Sequence, residues 1–211
     1  MTQDKDIYET LRYRLITAAF AHGAKLRAEG LRDDLGCSAS TVREALFRLS
    51  TEGLVTFQEQ RGFRVPERSP HLIHELTHIR VLLEAEGTCM SIRNGGVAWE
   101  ARLSAAHHQL RHIETRIHAA SDTSPLVEIW FNAEKEFHET LISACGSDTL
   151  KSTHALVYVR FRQQLMVEDL NFDFISMNIQ HHAEILEAAL AGDETLTRQK
   201  IHDHLARHLQ A

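Results

Sequence analysis

The chain has 211 residues, 43% of them hydrophobic and 25% charged, which is typical of a globular protein and excludes a wholly disordered chain. The chain has only 3 Pro and 10 Gly, and this scarcity of residues that break helices favours a helical protein over a strand-rich sandwich. No apolar run approaches the roughly 20 residues that cross a bilayer, and the N-terminus lacks a signal-peptide core. We therefore expect a cytoplasmic protein without a membrane segment.

Charge and histidine are divided unevenly along the chain. Up to Pro66 there are 10 Lys and Arg against 9 Asp and Glu, whereas the remainder has 13 against 20 and holds 14 of the 15 His. Because the two stretches differ in chemistry, we predict two domains, residues 1–68 and 69–211, that meet near Ser69-Pro70.

The first stretch has the pattern of three helices followed by a hairpin. A helical stripe covers residues 7–20, and a short helix around Leu31 and Leu35 ends at Gly36. Ser38 can cap a third helix, although a capping box from Thr41 to Glu44 would start it two or three residues later. LVTF and FRVP then alternate around a turn, which predicts a β-hairpin. This order is that of a winged helix-turn-helix, and a purely structural three-helix cap is the other interpretation.

The outward face of the third helix and the hairpin tip favour the DNA-binding interpretation, because a helix of this size fits the major groove and arginine pairs with phosphates or guanine edges. The candidate DNA-contacting residues are Ser38, Ser40, Thr41, Arg43, Arg48, Arg61, Gly62 and Arg64. A net charge of +1 is weak for a DNA-binding domain, so we expect local placement and dimerisation to supply the electrostatics.

The stretch KLRAEGLRDDLGCSASTVREALFRLSTEGLVTFQEQRGFRV resembles the DNA-binding domain of GntR-family bacterial transcription regulators. The resemblance covers about 60 residues and implies that Arg43, Arg48 and Gly62 belong to the DNA-contacting surface. The chain departs from the family pattern at Ala39, where an arginine is usual, and at Thr41, where proline is common. Loss of that arginine removes one phosphate or base contact.

Beyond the predicted joint, the chain is typical of an all-α bundle. Breaks at glycine- and proline-containing segments predict six helices, at residues 71–93, 97–119, 124–144, 148–168, 172–191 and 194–210. The stretch has no Gly-rich phosphate loop, no GxSxG and no CxxC motif.

Histidine is the informative residue type in this stretch. HxxxH spacing occurs at His74/His78, His108/His112 and His204/His208. Three occurrences among 15 His show that the spacing alone is weak evidence, so we expect most of these to be surface or packing histidines.

A better metal-ligand candidate combines an acid and an imidazole on one helix, Glu134 and His138. His182 and His204 lie ten and eleven residues from the turn at Gly192-Asp193, so an antiparallel helix pair brings them to the same height. One carboxylate and three imidazoles suit Zn²⁺, Ni²⁺, Mn²⁺ or Fe²⁺. The alternative is that His182 and His204 are core histidines bonded to neighbours.

Residues 71–210 are similar to the effector-binding FCD domain of the FadR subgroup of GntR regulators, in its shorter VanR-like form. The similarity lies in IRVLLEAEG, EKEFHETL, HHAEILEAALAGD and the last helix through DHL. It implies a divalent metal held by Glu134, His138, His182 and His204. Because the family usually has Asp where this chain has Glu134, either Glu134 reaches the metal in a different rotamer or a water replaces it. His181 points about 100° away from His182 and is not expected to be a ligand.

Together these features predict a homodimeric regulator that binds a palindromic or near-palindromic operator, with affinity controlled by a small organic acid at the metal. By resemblance Arg80 pairs with that acid, Arg160 and Arg162 are weaker candidates, and a surface salt bridge is the alternative for all three. A sensor for which the ion itself is the signal is a second interpretation. A metal-dependent hydrolase is disfavoured because the chain has no nucleophile elbow and the winged domain would be unexplained, so we do not expect an enzyme.

Overall fold

The computed structural model describes residues 2–17, 19–169 and 172–209, with the side chains of 7–17, 19–165 and 172–209. The chain divides into two compact units. One is Met1–Pro70 together with Val159–Val167, and the other is His71–Tyr158 together with Glu168–Ala211.

The segment 159–167 belongs to the first unit, although the sequence assigned it to the second domain. Gln163 Nε2 donates to the carbonyl of Leu54 at 2.9 Å, and Gln164 Nε2 donates to the carbonyl of Glu67 at 3.3 Å. These are long-range amide contacts, which helical periodicity does not encode.

The described part of the first unit has the following helices and strands: α1 (Thr2–Ile16), β1 (Lys25–Leu26), α2 (Ala28–Leu35), α3 (Ala39–Thr51), β2 (Thr56–Gln58) and β3 (Gly62–Arg64). The strands form an antiparallel sheet in the order β1-β3-β2, with Phe57 opposite Phe63 and Lys25 opposite Arg64. The predicted winged helix-turn-helix is therefore confirmed. Its third strand, β1, was not predicted because a strand of two residues is too short to show an alternating pattern.

Local chemistry explains the helix-turn-helix. α2 ends at Gly36, whose φ of 64° is the left-handed conformation that glycine adopts readily. Ser38 then accepts a hydrogen bond from the backbone N–H of Thr41, so the serine cap starts α3 and the later start is wrong. The first helix was predicted at 7–20 but ends at Ile16, and Ala18 lies outside the described residues.

Six helices supply the second unit within the described residues: α4 (Pro70–Asn94), α5 (Gly96–Ala119), α6 (Val127–Leu141), α7 (Asp148–Asp169), α8 (Ile175–Leu190) and α9 (Glu194–Leu205). Short 3₁₀ turns at Ser124–Leu126 and Ala206–His208 replace the predicted start of α6 and end of α9, and residue 210 lies outside the described part. The predicted all-α architecture is confirmed.

Close packing in the second unit brings functional side chains together. α5 packs on α6 and α8, and α8 packs on α9. A Cβ at Gly87 of α4 would lie 2.7 Å from the Ile142 side chain, so only glycine permits this approach. Asp193 caps α9 by accepting from the N–H of Leu196, which starts the return helix directly after the Gly192 turn. Among the helices described, none has both the length and the hydropathy that a membrane span requires.

Candidate functional site

The predicted DNA-contacting residues all lie at the surface of the first unit. α3 buries Val42, Ala45, Leu46 and Leu49 and leaves Arg43 and Arg48 exposed. Of the other candidates, Thr41 and Gly62 are half-buried, whereas the serines and the two wing arginines are exposed.

Three of these arginines have partners within the first unit. Arg43 forms an exposed ion pair with Glu29 at 3.1 Å, and the Arg48 guanidinium lies 4.0 Å from the centroid of the Tyr8 ring. Arg64 donates to the carbonyl of Gly23 at 3.0 Å. Since an exposed ion pair contributes little stability, Arg43 can exchange Glu29 for a phosphate or a base more readily than Arg48 can leave Tyr8.

A groove of about 490 Å³ runs between α3 and the wing. Its basic lining residues are Lys25, Arg27, Arg43 and Arg61. Phe47 of α3, Phe57 of β2 and Phe63 of β3 pack together beside them, with ring centroids 4.8–4.9 Å apart. Such a cationic groove suits a polyanion. Sequence reasoning missed Lys25 and Arg27 because they depend on the unpredicted β1.

The second unit gathers three histidines from three helices. His138 of α6, His182 of α8 and His204 of α9 are buried, and one ligand-type nitrogen from each lies within 4.8 Å of the others. The ring centroids of His182 and His204 are 4.5 Å apart, as the antiparallel α8–α9 pair predicted. The ring centroid of His138 lies 5.6 Å from that of His182 and 5.3 Å from that of His204.

Each histidine of this cluster has at least one ring nitrogen that makes no hydrogen bond to the described residues. His138 Nε2, both nitrogens of His182 and His204 Nδ1 are buried without a hydrogen-bond partner among the described residues. Burial lowers the pKa of His138, and burial with the neighbouring His182 and His138 lowers the pKa of His204 well below its ordinary value. Neutral imidazoles with an unpartnered nitrogen are the form that binds a metal, so these residues fit a divalent ion.

Glu84 of α4 organises a buried network beside the cluster. Its carboxylate accepts from Arg80, lies 2.8 Å from His138 Nδ1 and lies 3.0 Å from His154 Nε2. Burial alone would raise the pKa of Glu84, but the Arg80 charge and the hydrogen bonds with His138 and His154 hold it well below the ordinary value. The carboxylate is therefore ionised and turns His138 so that Nε2 remains for a ligand.

Glu134 lies outside the group of three close nitrogens. Its Oε2 accepts from the Tyr158 hydroxyl, while its Oε1 lies 3.8 Å from Arg80 and 3.5 Å from His138 Nε2. The structure thus brings together three of the four ligands that the resemblance implied, with the acid at the edge of the site.

The three predicted effector arginines have different surroundings. Arg80 is only 1% exposed and pairs with Glu84, so the surface salt bridge is wrong for this residue. Arg160 and Arg162 lie on the part of α7 that belongs to the first unit, where the Arg160 side chain packs against Gly53. Arg162 is buried, so a surface salt bridge does not describe it either.

The remaining HxxxH pairs are surface features. His74, His78, His108 and His112 are all exposed, as expected. Sequence reasoning missed Glu84, Glu114, His154 and Tyr158, all buried in the second unit. A signal existed for Glu114, because Leu110, Ile113 and Ile117 place it on the apolar stripe of α5.

Acid should destabilise the metal-free protein through His107. Burial, then the neighbouring His182, lower the pKa of His107 to about 4 from 6.5. The unfolded chain therefore takes up a proton that the folded protein does not, so stability is complete above about pH 6.5 and falls as the pH approaches 4. We expect the unfolding midpoint of chelator-treated protein to fall over this range, and less steeply in His107→Gln. Equal slopes would contradict this role of His107.

A winged helix-turn-helix with a basic groove, together with a helical unit that contains a buried cluster of three histidines, defines a class of protein: the DNA-binding transcription regulator. The model described as "Bacterial regulatory proteins, gntR family" matches residues 3–65, and the model of the FCD domain matches residues 75–207. The chain belongs to the GntR family and has an FCD domain.

Similar proteins support this assignment. The HTH-type transcriptional regulator BphR of Paraburkholderia xenovorans is 30% identical over 94% of this chain and 80% of its own length. The HTH-type transcriptional repressor GlaR of Escherichia coli is 27% identical over 95% of this chain and 91% of its own. The solved structure of E. coli McbR/YncC has the same fold, with a TM-score of 0.81 at 21% identity over 99% of this chain and 96% of that one. The family and these relatives are transcription regulators, not enzymes.

Proposed function

We propose that this regulator controls its operator affinity through a divalent metal ion at His138, His182 and His204, with a small organic acid completing the coordination. The observation that carries the proposal is the group of three buried imidazoles, each of which brings one ring nitrogen within 4.8 Å of the others and has a ring nitrogen without a hydrogen-bond partner among the described residues. Zn²⁺, Ni²⁺, Mn²⁺ and Fe²⁺ suit such nitrogen donors. When bound, the ion would supply a Lewis-acid position for a carboxylate oxygen.

The charge of the buried site supports a cation. Among the described buried residues of the second unit, the carboxylates Glu84, Glu114 and Glu134 outnumber the single guanidinium of Arg80. His138 and His204 are neutral because burial lowers their pKa. Unbalanced buried charge is costly, and a divalent cation would restore neutrality.

Arg80 is the residue that we expect to pair with the organic acid. It lies 3.8 Å from Glu134 and 4.8 Å from the centre of the Tyr158 ring, beside the acid that the family resemblance makes a ligand. Its present partner is Glu84, so an incoming carboxylate would compete for the same guanidinium. Arg80→Lys keeps the buried charge and loses the planar fork, so it should retain metal and operator binding but respond weakly to the acid.

The same charge balance favours a second candidate, in which the ion itself is the signal. Three carboxylates, one guanidinium and one divalent ion are already neutral, so an organic acid adds a charge that the site must accommodate. The two candidates can be distinguished by measuring the affinity of the protein for an operator selected from random DNA duplexes. If the protein is an ion sensor, metal alone should change its affinity for the operator. If it is an effector regulator, the affinity should change only when metal and a small carboxylate are present together. A coupling of about 1–3 kcal/mol is expected. No response to either would contradict both candidates.

Arg43→Ala should weaken specific operator binding by about 1–3 kcal/mol if the arginine contacts a base. We propose that the protein binds as a homodimer to a palindromic or near-palindromic operator, since one helix-turn-helix contacts one half-site. Binding is measured at fixed salt, with exposed Arg102→Ala of α5 as the matched control. Arg48→Ala should weaken binding similarly if it contacts a base, but it also loses its Tyr8 contact, so its unfolding is measured in parallel. Wild-type affinity in both Arg43→Ala and Arg48→Ala would place the DNA contacts elsewhere.

A further inference from the structure

Glu114 of α5 is an acidic residue buried on an apolar helix face. The residue has 0% exposure, and neither carboxylate oxygen has a hydrogen-bond partner among the described residues. Its neighbours on the same helix face, Leu110, Ile113 and Ile117, are buried and apolar. A carboxylate without donors in such surroundings is costly, which points to a role other than folding.

This carboxylate lies close to a member of the histidine cluster. Glu114 Oε1 lies 3.1 Å from Nδ1 of His182, which itself has no hydrogen-bond partner. A neutral imidazole has one N–H donor and one acceptor nitrogen, so a proton on Nδ1 leaves the lone pair on Nε2.

A second pair in the same unit has the same arrangement. Glu84 Oε2 lies 2.8 Å from Nδ1 of His138, and His138 Nε2 is the nitrogen without a partner. Two imidazoles from different helices thus each face a buried carboxylate through Nδ1. Carboxylates placed in this way commonly orient metal-ligating histidines.

We propose that Glu114 is a positioning residue for the metal ligand His182. It accepts the Nδ1–H hydrogen bond and so selects the tautomer that presents Nε2 to the ion. This inference rests on the proposed metal site. Glu114 is not among the residues whose donor atoms all lie within 4.8 Å of one another, so it acts through His182 and not as a ligand.

The His182 tautomer in metal-free protein tests the contact directly. With ¹⁵N-labelled histidine, and the His182 signals identified by their loss in His182→Gln, wild type should show the Nδ1–H tautomer. Glu114→Gln keeps an oxygen acceptor and should retain that tautomer, whereas Glu114→Ala should shift the population towards Nε2–H. Glu100→Ala, also on α5, is the matched control and should leave the spectrum unchanged.

Zinc affinity, measured by competition with a chelator, tests the role. Glu114→Ala should bind Zn²⁺ about 10–100-fold more weakly. Its metal-free unfolding midpoint should stay the same or rise, because the cost of burying a carboxylate among apolar side chains has been removed. A merely structural role would produce the opposite pair of results: a lower midpoint and wild-type zinc affinity.

The outcomes separate this role from the proposed function. A wild-type protein that binds no zinc overturns the proposed metal site, while the tautomer still tests the Glu114–His182 contact. If wild type binds zinc but Glu114→Ala keeps both its affinity and the His182 tautomer, the role of Glu114 is overturned and the metal site stands.

Discussion

His182→Ala or His204→Ala should lose stoichiometric divalent-metal binding, with one ion per chain in the wild type and none in either variant. Each change removes one of the close nitrogens in a site that has only three imidazoles. The loss of affinity should exceed the roughly 10–100-fold that follows loss of an outer-shell partner. Elemental analysis after reloading and chelator competition measure the effect.

Stability should follow metal occupancy. A ligand present at about 1,000 times its Kd stabilises the folded state by about 4 kcal/mol, so metal should raise the wild-type unfolding midpoint and leave both variants unchanged. His108→Ala is the matched control, because this exposed histidine of α5 also belongs to an HxxxH pair. Glu134→Gln should still bind the ion through three imidazoles. Metal binding in His182→Ala equal to that of wild type would refute the site.

Local sequence patterns were sufficient to predict the helices that contain the candidate DNA-contacting residues and two of the clustered histidines. The stripe Val42, Ala45, Leu46 and Leu49 defines which face of α3 is buried, and therefore which face can meet DNA. Counting residues from the Gly192 turn predicted that His182 and His204 approach each other, because two packed antiparallel helices keep equal distances from their turn. Both inferences need only helical geometry and one turn.

Contacts between distant residues could not be predicted in this way. Glu84 meets His138 and His154 across 54 and 70 residues, and Glu114 meets His182 from another helix. Periodicity shows that an acid lies on a buried face, but not which partner it meets there. The strand β1 was missed for the same reason, since its two residues form a strand only by pairing with β3.

Arg80→Ala should destabilise the folded protein by about 3–5 kcal/mol, the typical cost of removing one partner of a buried ion pair. Arg80 and Glu84 are 1% and 0% exposed, and Arg80 supplies the largest charge effect that lowers the pKa of Glu84. The alanine variant leaves this carboxylate with only His138 and His154. Urea unfolding of metal-free protein measures the change.

The matched control is Arg198→Ala, which breaks an exposed pair with Glu86 at 2.6 Å and should cost no more than about 1 kcal/mol. Removing both buried partners tests the cause: Arg80→Ala/Glu84→Ala should cost less than the sum of the single changes, because neither charge is then left alone. The double variant should nevertheless bind metal more weakly, since His138 loses the carboxylate that orients its ring. Additive costs would instead mean that Arg80 stabilises the fold through packing against Tyr158, and that Glu84 does not need its charge.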